Sequence, residues 1–407
     1  MAEPALRVLS INSGSSSLKF SVYRMADEQE RLDLKGELQG IGTPSGRARI
    51  EDGAGTSLTD RDCKLPHHRA ALYALLEELD RYLPAHLDAI GHRLVHGGAE
   101  YATPQPITQD LLRELDYLCL FAPEHLPQAL EVIAALGERF PELPQIACFD
   151  TAFHRSMPTC AQRLPLSTEL WDQGVRRYGF HGLSYEYIVR ELGAQAGPAA
   201  AQGRLVIAHL GNGASMAAVH QGHSVDTTMG FTPTGGLVMS SRSGDLDPGV
   251  IVYLLQDREM DARELNDLLN RRSGLLGISG ISTDMRTLLE LRQHEPRAAL
   301  AVEIFCYQAR KFIGALAAVL GGLDTLVFTG GIGEHAAAVR WEICRHLEFL
   351  GIRLDAERNA RNAAVISEDG APCTTRVMAT NEDLMIARHC RAVLHGGQPT
   401  RAAPWKA

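Results

Sequence analysis

Two stretches of this chain share one construction, and that construction limits the folds open to it. Residues 6–11 (LRVLSI) and 18–23 (LKFSVY) have the apolar and branched character of strands, and only NSGSSS separates them. A glycine among small hydroxyl residues between two such runs predicts an antiparallel hairpin, 5–12 with 17–25. At 203–222, GRLVIAHLGNGASMAAVHQG repeats the plan of strand, glycine-rich turn and strand. The turn Asn12-Ser13-Gly14-Ser15-Ser16 is echoed by Asn212-Gly213-Ala214-Ser215. A hairpin built twice, far apart in the chain, points to two related domains facing one cleft.

The surrounding pattern agrees with an α/β chain. Helical periodicity appears at about 69–82, 108–119, 127–139, 297–320 and 382–394, the fourth closed by Gly321-Gly322 as a C-cap. Between helices, DAIGHRLVHGG and LPQIACFDTAFH read as buried strands that run into polar loops, the usual seat of reactive side chains. LDTLVFTGGIGEH reads as strand, glycine-rich turn and helix start. A length of 407 residues suits two or three domains, and 45% hydrophobic against 22% charged residues suits ordinary globular cores. The net charge of −9 argues against a general nucleic-acid or acidic-membrane surface, though not against a local anion pocket. None of the eight cysteines forms a C-x-x-C pair, which predicts reduced thiols. The N-terminus lacks a signal peptide's basic and apolar regions, and the longest apolar run, FIGALAAVLGGL, is too short to span a bilayer. A cytoplasmic location is the expectation.

Three glycine-rich turns, 12–17, 211–215 and 330–334, could gather backbone N–H groups around phosphates. No G-x-x-x-x-G-K-[ST] is present, and GGIGEH lacks the third glycine of a dinucleotide fingerprint. Arg93 follows a buried strand and Arg242 lies in a serine- and glycine-rich loop. Each is either an anion fork or half of a salt bridge. Asp150 ends an apolar strand as a helix cap or a functional carboxylate. His181, in YGFHGLS, is either structural or a donor. Glu382 opens the last helix as a cap or as a ligand of Mg²⁺.

Taken together, NSGSSSLKF, HRLVHGG, FDTAFH, YGFHGLS, HLGNGAS, RSGDLDPG, STDMR, GGIGE and ATNED resemble the successive motifs of the acetate kinase family, in that family's order, from Val8 to about His389. That family belongs to the superfamily of sugar kinases, actin and heat-shock chaperones. The resemblance implies two related actin-like (ribonuclease H-like) domains with a ββαβαβα-type core, flanking a nucleotide cleft. The expected boundaries are 1–151 and 152–387, with a C-terminal helix of about 388–407 packing back on the first domain. It further implies a homodimer, ATP or ADP with Mg²⁺ or Mn²⁺, acetate as the substrate, and direct in-line phosphoryl transfer.

The resemblance also assigns residues. Asn12 is implied among the transferring phosphate oxygens and at the metal, with Ser13, Ser15, Ser16 and Lys19 completing the first phosphate loop. Arg93 and Arg242 match the pair holding the carboxylate and the phosphoryl group. Asp150 matches the carboxylate near acetate and the metal, and Glu382 the magnesium residue. His181 matches the histidine that hydrogen-bonds the phosphoryl group in flight, with His125 and His209 in support. Leu210, Gly211, Asn212 and Gly213 match the second phosphate loop. Asp284, Met285 and Arg286 match the adenosine contacts, and Gly331, Ile332, Gly333 and Glu334 the nucleotide turn. Val95, Phe180 and Pro233 match walls of the methyl pocket. A carboxylate nucleophile needs no general base, so Asp150 is read as a positioning or metal group.

The chain departs from the family at FAPEHLP, where Glu124 replaces a leucine of the methyl pocket. It departs again at GFHGLSY, with Leu183 and Tyr185, and at His335 in GGIGEH. Other readings are a kinase for another short carboxylate such as propionate, and a non-catalytic ATP-binding module of the same fold.

Overall fold

The computed structural model describes residues 5–14, 16–26, 29–83, 86–119 and 125–396. The chain divides into two compact units. The first runs up to Ala152 and takes back the stretch from Asn381; the second is Phe153–Thr380.

The first unit is built on an eight-stranded sheet. Its strands are β1 (Leu6–Ser13), β2 (Ser17–Met25), β3 (Glu30–Gln39), β4 (Gly46–Asp52), β5 (Ser57–Cys63), β6 (Ala89–Leu94), β7 (Gln105–Pro106) and β8 (Gln145–Phe149). Their order across the sheet is β5-β4-β3-β2-β1-β6-β8-β7. The five leading strands pair antiparallel, whereas β1, β6 and β8 run parallel. Parallel strands need crossovers, and helices supply them. The helix His68–Tyr82 links β5 to β6, and Leu126–Arg139 precedes β8. Ala71, Leu72, Leu75, Leu76 and Leu79 recur at helical spacing on the first of these and enter a core with Leu9, Ile11, Leu18 and Phe20. Each buried leucine there contributes about 2 kcal/mol.

The last helix, Glu382–Leu394, belongs to this unit and lies on β1, β2 and β6. Its approach depends on Gly91 in β6, where a Cβ would collide with Ile386 and Cys390. Its start is marked by Asn381, whose side chain accepts from Leu384 N.

The second unit has β9 (Arg204–Leu210), β10 (Ala214–His220), β11 (His223–Thr227), β12 (Thr325–Thr329) and β13 (Thr374–Val377), in the order β11-β10-β9-β12-β13. β9, β10 and β11 pair antiparallel, while β12 lies parallel to both β9 and β13. That is the arrangement of β3-β2-β1-β6-β8 in the first unit, so the repeated hairpin marks a repeated sheet. The 25-residue helix Pro296–Leu320 buries Ala298, Ala301, Val302, Phe305 and Ala309 along one face and ends on Gly321, φ 68°. Among the described residues no helix is long and apolar enough to cross a membrane.

Two expectations need correction, the number of leading strands and the form of GGIGEH. The sheet begins with more than the two antiparallel strands of the hairpin: five in the first unit and three in the second. β3 to β5 carry charged outer faces, and Leu34, Leu38, Ala48, Ile50 and Thr59 are the side chains they bury inward. GGIGEH is not an open turn but a short helix, Gly330–His335, started directly off β12.

Candidate active site

In the first unit, the carboxyl ends of the parallel strands converge on one guanidinium. Asn12 is the penultimate residue of β1, Arg93 of β6, and Asp150 follows β8. Arg93 donates through Nε and Nη2 to the two oxygens of Asp150 (3.1 and 2.5 Å) and through Nη1 to Asn12 Oδ1 (3.0 Å). Glu382, first residue of the C-terminal helix, adds a second carboxylate 3.5 Å from Arg93 Nε. Asp150 is wholly buried. Burial by itself would lower the Arg93 pKa, but Asp150, Glu382 and Asp383 outweigh it and hold the group above its ordinary value. Beside it, burial and then Glu382 push the Asp383 carboxyl up against a bond from Ser21 Oγ (2.7 Å). Two carboxylates on one guanidinium leave the cluster net anionic.

The available donors, an amide oxygen and two carboxylates, are hard oxygens of the kind Mg²⁺ and Mn²⁺ accept. Among the described residues no group of three His, Cys, Asp or Glu forms a ready-made metal cage. The set therefore fits an ion that brings further ligands with it, as Mg²⁺ does with phosphates.

The first hairpin turn is fixed by Gly14 N donating to Ser17 O (2.8 Å) and by the ring of His68, whose Nε2 is 2.8 Å from Gly14 O. Ser13 is buried and Ser16 exposed. Lys19 is exposed and its ammonium sits 3.5 Å from Glu37 on β3, away from the Arg93 cluster's hydrogen bonds. Val95 is buried just beyond β6. His125 occupies the N-cap position of Leu126–Arg139 without a side-chain cap bond. Ser15 and Glu124 lie outside the described residues.

In the second unit, the turn 211–213 joins β9 to β10 and gathers three further candidates. His181 stands at the N-cap of the helix Gly182–Ala196 in the left-handed region, φ 59°. A non-glycine residue seldom adopts that region, and it costs on the order of 1 kcal/mol. The ring stacks on His209 at 4.2 Å. A Cβ on Gly213 would lie 3.2 Å from His181 Nε2 and 3.6 Å from Arg242 Nη1, so glycine lets imidazole and guanidinium approach the turn. Arg242 donates to Pro233 O (3.1 Å), which sets Pro233 beside it. Ser240 holds Asn212 through both its backbone N and its Oγ, each at 3.2 Å. Asn212 itself is exposed, whereas Asn12 lies within β1, so the two asparagines are not at equivalent points of their hairpins.

The segment Gly330–Glu334 packs directly behind this turn. A Cβ on Gly330 would come within 2.8 Å of Leu210 O, and one on Gly211 within 4.0 Å of Gly331 N. Glu334 spends its carboxylate on the backbone, accepting from Gly330 N (2.9 Å) and Thr380 N (3.3 Å). Farther along, Asp284 caps the helix Met285–Leu291 by accepting from Arg286 N (2.9 Å); Met285 is buried and Arg286 exposed.

Several supporting residues carry no signal in the sequence. His154 bonds Ser224 Oγ (2.8 Å) and donates to Phe180 O (2.9 Å), fixing the peptide ahead of His181; burial lowers its pKa to about 4. Arg340 is fully buried behind Gly330–His335, where it donates to Gly333 O (2.8 Å), Glu334 O (3.0 Å) and the Asn359 and Asn362 side chains. Burial lowers its pKa to about 10. In VRWEICR it has the look of a surface cation.

Comparison with known proteins gives a consistent result. The pattern of the Acetokinase family matches residues 7–388. Acetate kinase of Rhodopseudomonas palustris is 47% identical over 399 residues, covering 96% of this chain and 99% of the relative. Acetate kinase of Methylocella silvestris is 44% identical, over 95% and 98% respectively. Among solved structures, an acetate kinase of Porphyromonas gingivalis superposes with a TM-score of 0.85 at 35% identity, over 96% of this chain and all of that one. A propionate kinase of Francisella tularensis reaches 0.87, also at 35% identity, over 94% and 98%.

Proposed function

The chain belongs to the Acetokinase family, and we propose that it catalyses the reversible phosphorylation of acetate by ATP, giving acetyl phosphate and ADP. The observation that carries this reading is the Arg93 cluster: a permanent cation at the carboxyl ends of β1, β6 and β8, held by Asn12, Asp150 and Glu382. A protein that only binds nucleotide has no need of such a fork for a small carboxylate.

In the forward direction, an acetate oxygen forms a bond to the γ-phosphorus and the bond from that phosphorus to the bridging oxygen breaks, leaving ADP. The nucleophile is already ionised, so no residue has to remove a proton. The difficulty is charge, since both substrates are anions. Arg242, and Arg93 once a divalent ion offsets its two carboxylates, meet that charge, and His181 donates to the phosphoryl oxygens as they spread charge in the transition state. Asn12, Asp150 and Glu382 would hold Mg²⁺, which when bound neutralises charge on the nucleotide phosphates. The backbone of 211–213 in the second unit, and Ser13 and Ser16 in the first, each serve phosphates. Gly331 to Gly333 and Asp284 to Arg286 serve the nucleotide, and Val95, Phe180 and Pro233 the methyl group.

We further infer a homodimer. The helix Pro248–Gln256 carries Val250, Val252, Tyr253 and Leu255 at 40–50% exposure and buries none of its residues. Such a face suits a second copy. ATP as the substrate fits a cytoplasmic enzyme.

The deciding experiment traps acyl phosphate with hydroxylamine after incubation with ATP, Mg²⁺ and each of acetate, propionate and butyrate. Product with acetate as the preferred acid supports the proposal. A strong preference for propionate would move the assignment to that acid, and no product with any of them would refute a carboxylate kinase.

A further inference from the structure

Tyr185 approaches His181 from behind. It lies in the first turn of the helix Gly182–Ala196 and is wholly buried. Its ring packs against Phe153 (centroids 6.0 Å) and His154 (5.4 Å). Its Oη is 2.5 Å from Ser215 Oγ, and Ser215 Oγ is 2.8 Å from His181 Nδ1. We propose that Tyr185 is a positioning residue which, through Ser215, holds His181 in the neutral tautomer with its proton on Nε2. That tautomer keeps an N–H donor turned toward Gly213 and an incoming phosphoryl oxygen. The inference rests on the reading of His181 as the phosphoryl donor.

The proton count supplies the argument. A phenol is a far stronger acid than an aliphatic alcohol, so in this short O–H···O pair the phenol is the favoured donor. Ser215 has a single hydroxyl proton; having accepted from Tyr185, it directs that proton at Nδ1. A ring nitrogen that accepts carries no hydrogen, so the proton of the neutral imidazole sits on Nε2. Nε2 is also the ring atom nearest the turn, 3.2 Å from where a Gly213 Cβ would stand. His181 sits at a helix N-terminus, Arg242 Nη1 lies beside the same glycine, and His209 is stacked on its face.

A second relay runs parallel to the first. Thr380 Oγ1 donates to Ser184 Oγ (2.8 Å), and Ser184 Oγ is 2.8 Å from His209 Nδ1. By the same count His209 also bears its proton on Nε2, which lies 3.9 Å from where a Gly211 Cβ would stand. Two stacked rings thus present their Nε2 atoms along one glycine turn.

Tyr185→Phe removes one oxygen and keeps the packed ring, so the fold should survive, which a thermal melt checks. NMR of the histidine ring nitrogens, with the His181 signals identified by their loss in His181→Gln, reads the tautomer without any turnover. Expected in Tyr185→Phe is a mixture with an Nδ1–H component, and kcat lower by about tenfold with KM for ATP and acetate within about twofold. Ser215→Ala should have the same effect, and the double variant should be no worse than Ser215→Ala alone. An unchanged tautomer spectrum in Tyr185→Phe, or losses that multiply in the double variant, would overturn the relay. Parent-like kcat in His181→Ala would instead refute the phosphoryl-donor reading, and the tautomer spectrum of Tyr185→Phe would still decide the relay.

Discussion

The Arg93 guanidinium satisfies Asn12, Asp150 and Glu382 together. Its removal leaves Asp150 buried without its counter-charge, a change that costs about 3–5 kcal/mol in comparable sites. Arg93→Ala should therefore lower kcat by about a hundredfold or more and also lower the melting temperature. Arg93→Lys should not restore kcat, because an ammonium cannot reach two carboxylate oxygens and an amide as a fork does. A parent-like kcat in Arg93→Ala would reduce the residue to a structural role. Histidines give a second prediction at this scale. Burial holds His92 and His154 at about 4, below the ordinary 6.5. Between those values the unfolded chain binds protons that the folded chain refuses. The stabilisation is therefore complete above about pH 6.5 and is lost as pH falls toward 4, on the order of 3 kcal/mol for each ring. Urea unfolding at pH 7.5 and pH 5 should show this loss, and His154→Gln should lessen it; a pH-independent midpoint would contradict it. Arg93, Asp150 and His181 were legible from their motifs. The roles of Tyr185, Ser215 and His154 were not, because hydroxyls and rings that act through other residues look like core.

Among the elements, the C-terminal helix shows how sheet packing and site depend on one position. Glu382–Leu394 can lie flat on β6 only because Gly91 has no side chain. Gly91→Ala should force the helix outward, destabilise the protein by about 1–3 kcal/mol, and lower kcat because Glu382 moves with the helix. Thermal melts and steady-state rates check this together, and an unchanged melting temperature would mean that the helix is free to shift. The long helices and buried strands could be read ahead of the structure, since a 3.6-residue period or a short apolar run bounded by turns is local information. β3 to β5 could not be read so readily. They are polar strands whose pairing comes from the neighbour, and Lys19 and Glu37 meet across β2 and β3 in a contact that no local pattern announces. GGIGEH was read in part, its helix start correctly and its preceding turn not. Its glycines suggest a turn, but Arg340 donating to Gly333 O, Glu334 O and the 359–362 segment, and Glu334 on Gly330 N, hold it as a helix.

For the molecule as a whole, the exposed helix Pro248–Gln256 makes the clearest demand. Light scattering should give the mass of two chains, and Val252→Asp should shift the protein toward one, since a carboxylate in a buried apolar interface is costly. A single-chain mass for the parent would leave that face to another partner. The amino-acid sequence alone determined that the chain is α/β and that its hairpin occurs twice, because period and turn chemistry are written into neighbouring residues. It also determined the family, through ordered motifs along nearly the whole chain. Only the tertiary structure decided which side chains meet. Asn12, Arg93, Asp150 and Glu382 are separated by as many as several hundred residues, and β1, β6, β8 and a returning helix bring them to one guanidinium. His181 and Ser215 meet because a left-handed N-cap turns the ring onto β10. Contacts of that kind follow from parallel pairing and burial over long sequence separations, and no short window of sequence contains them.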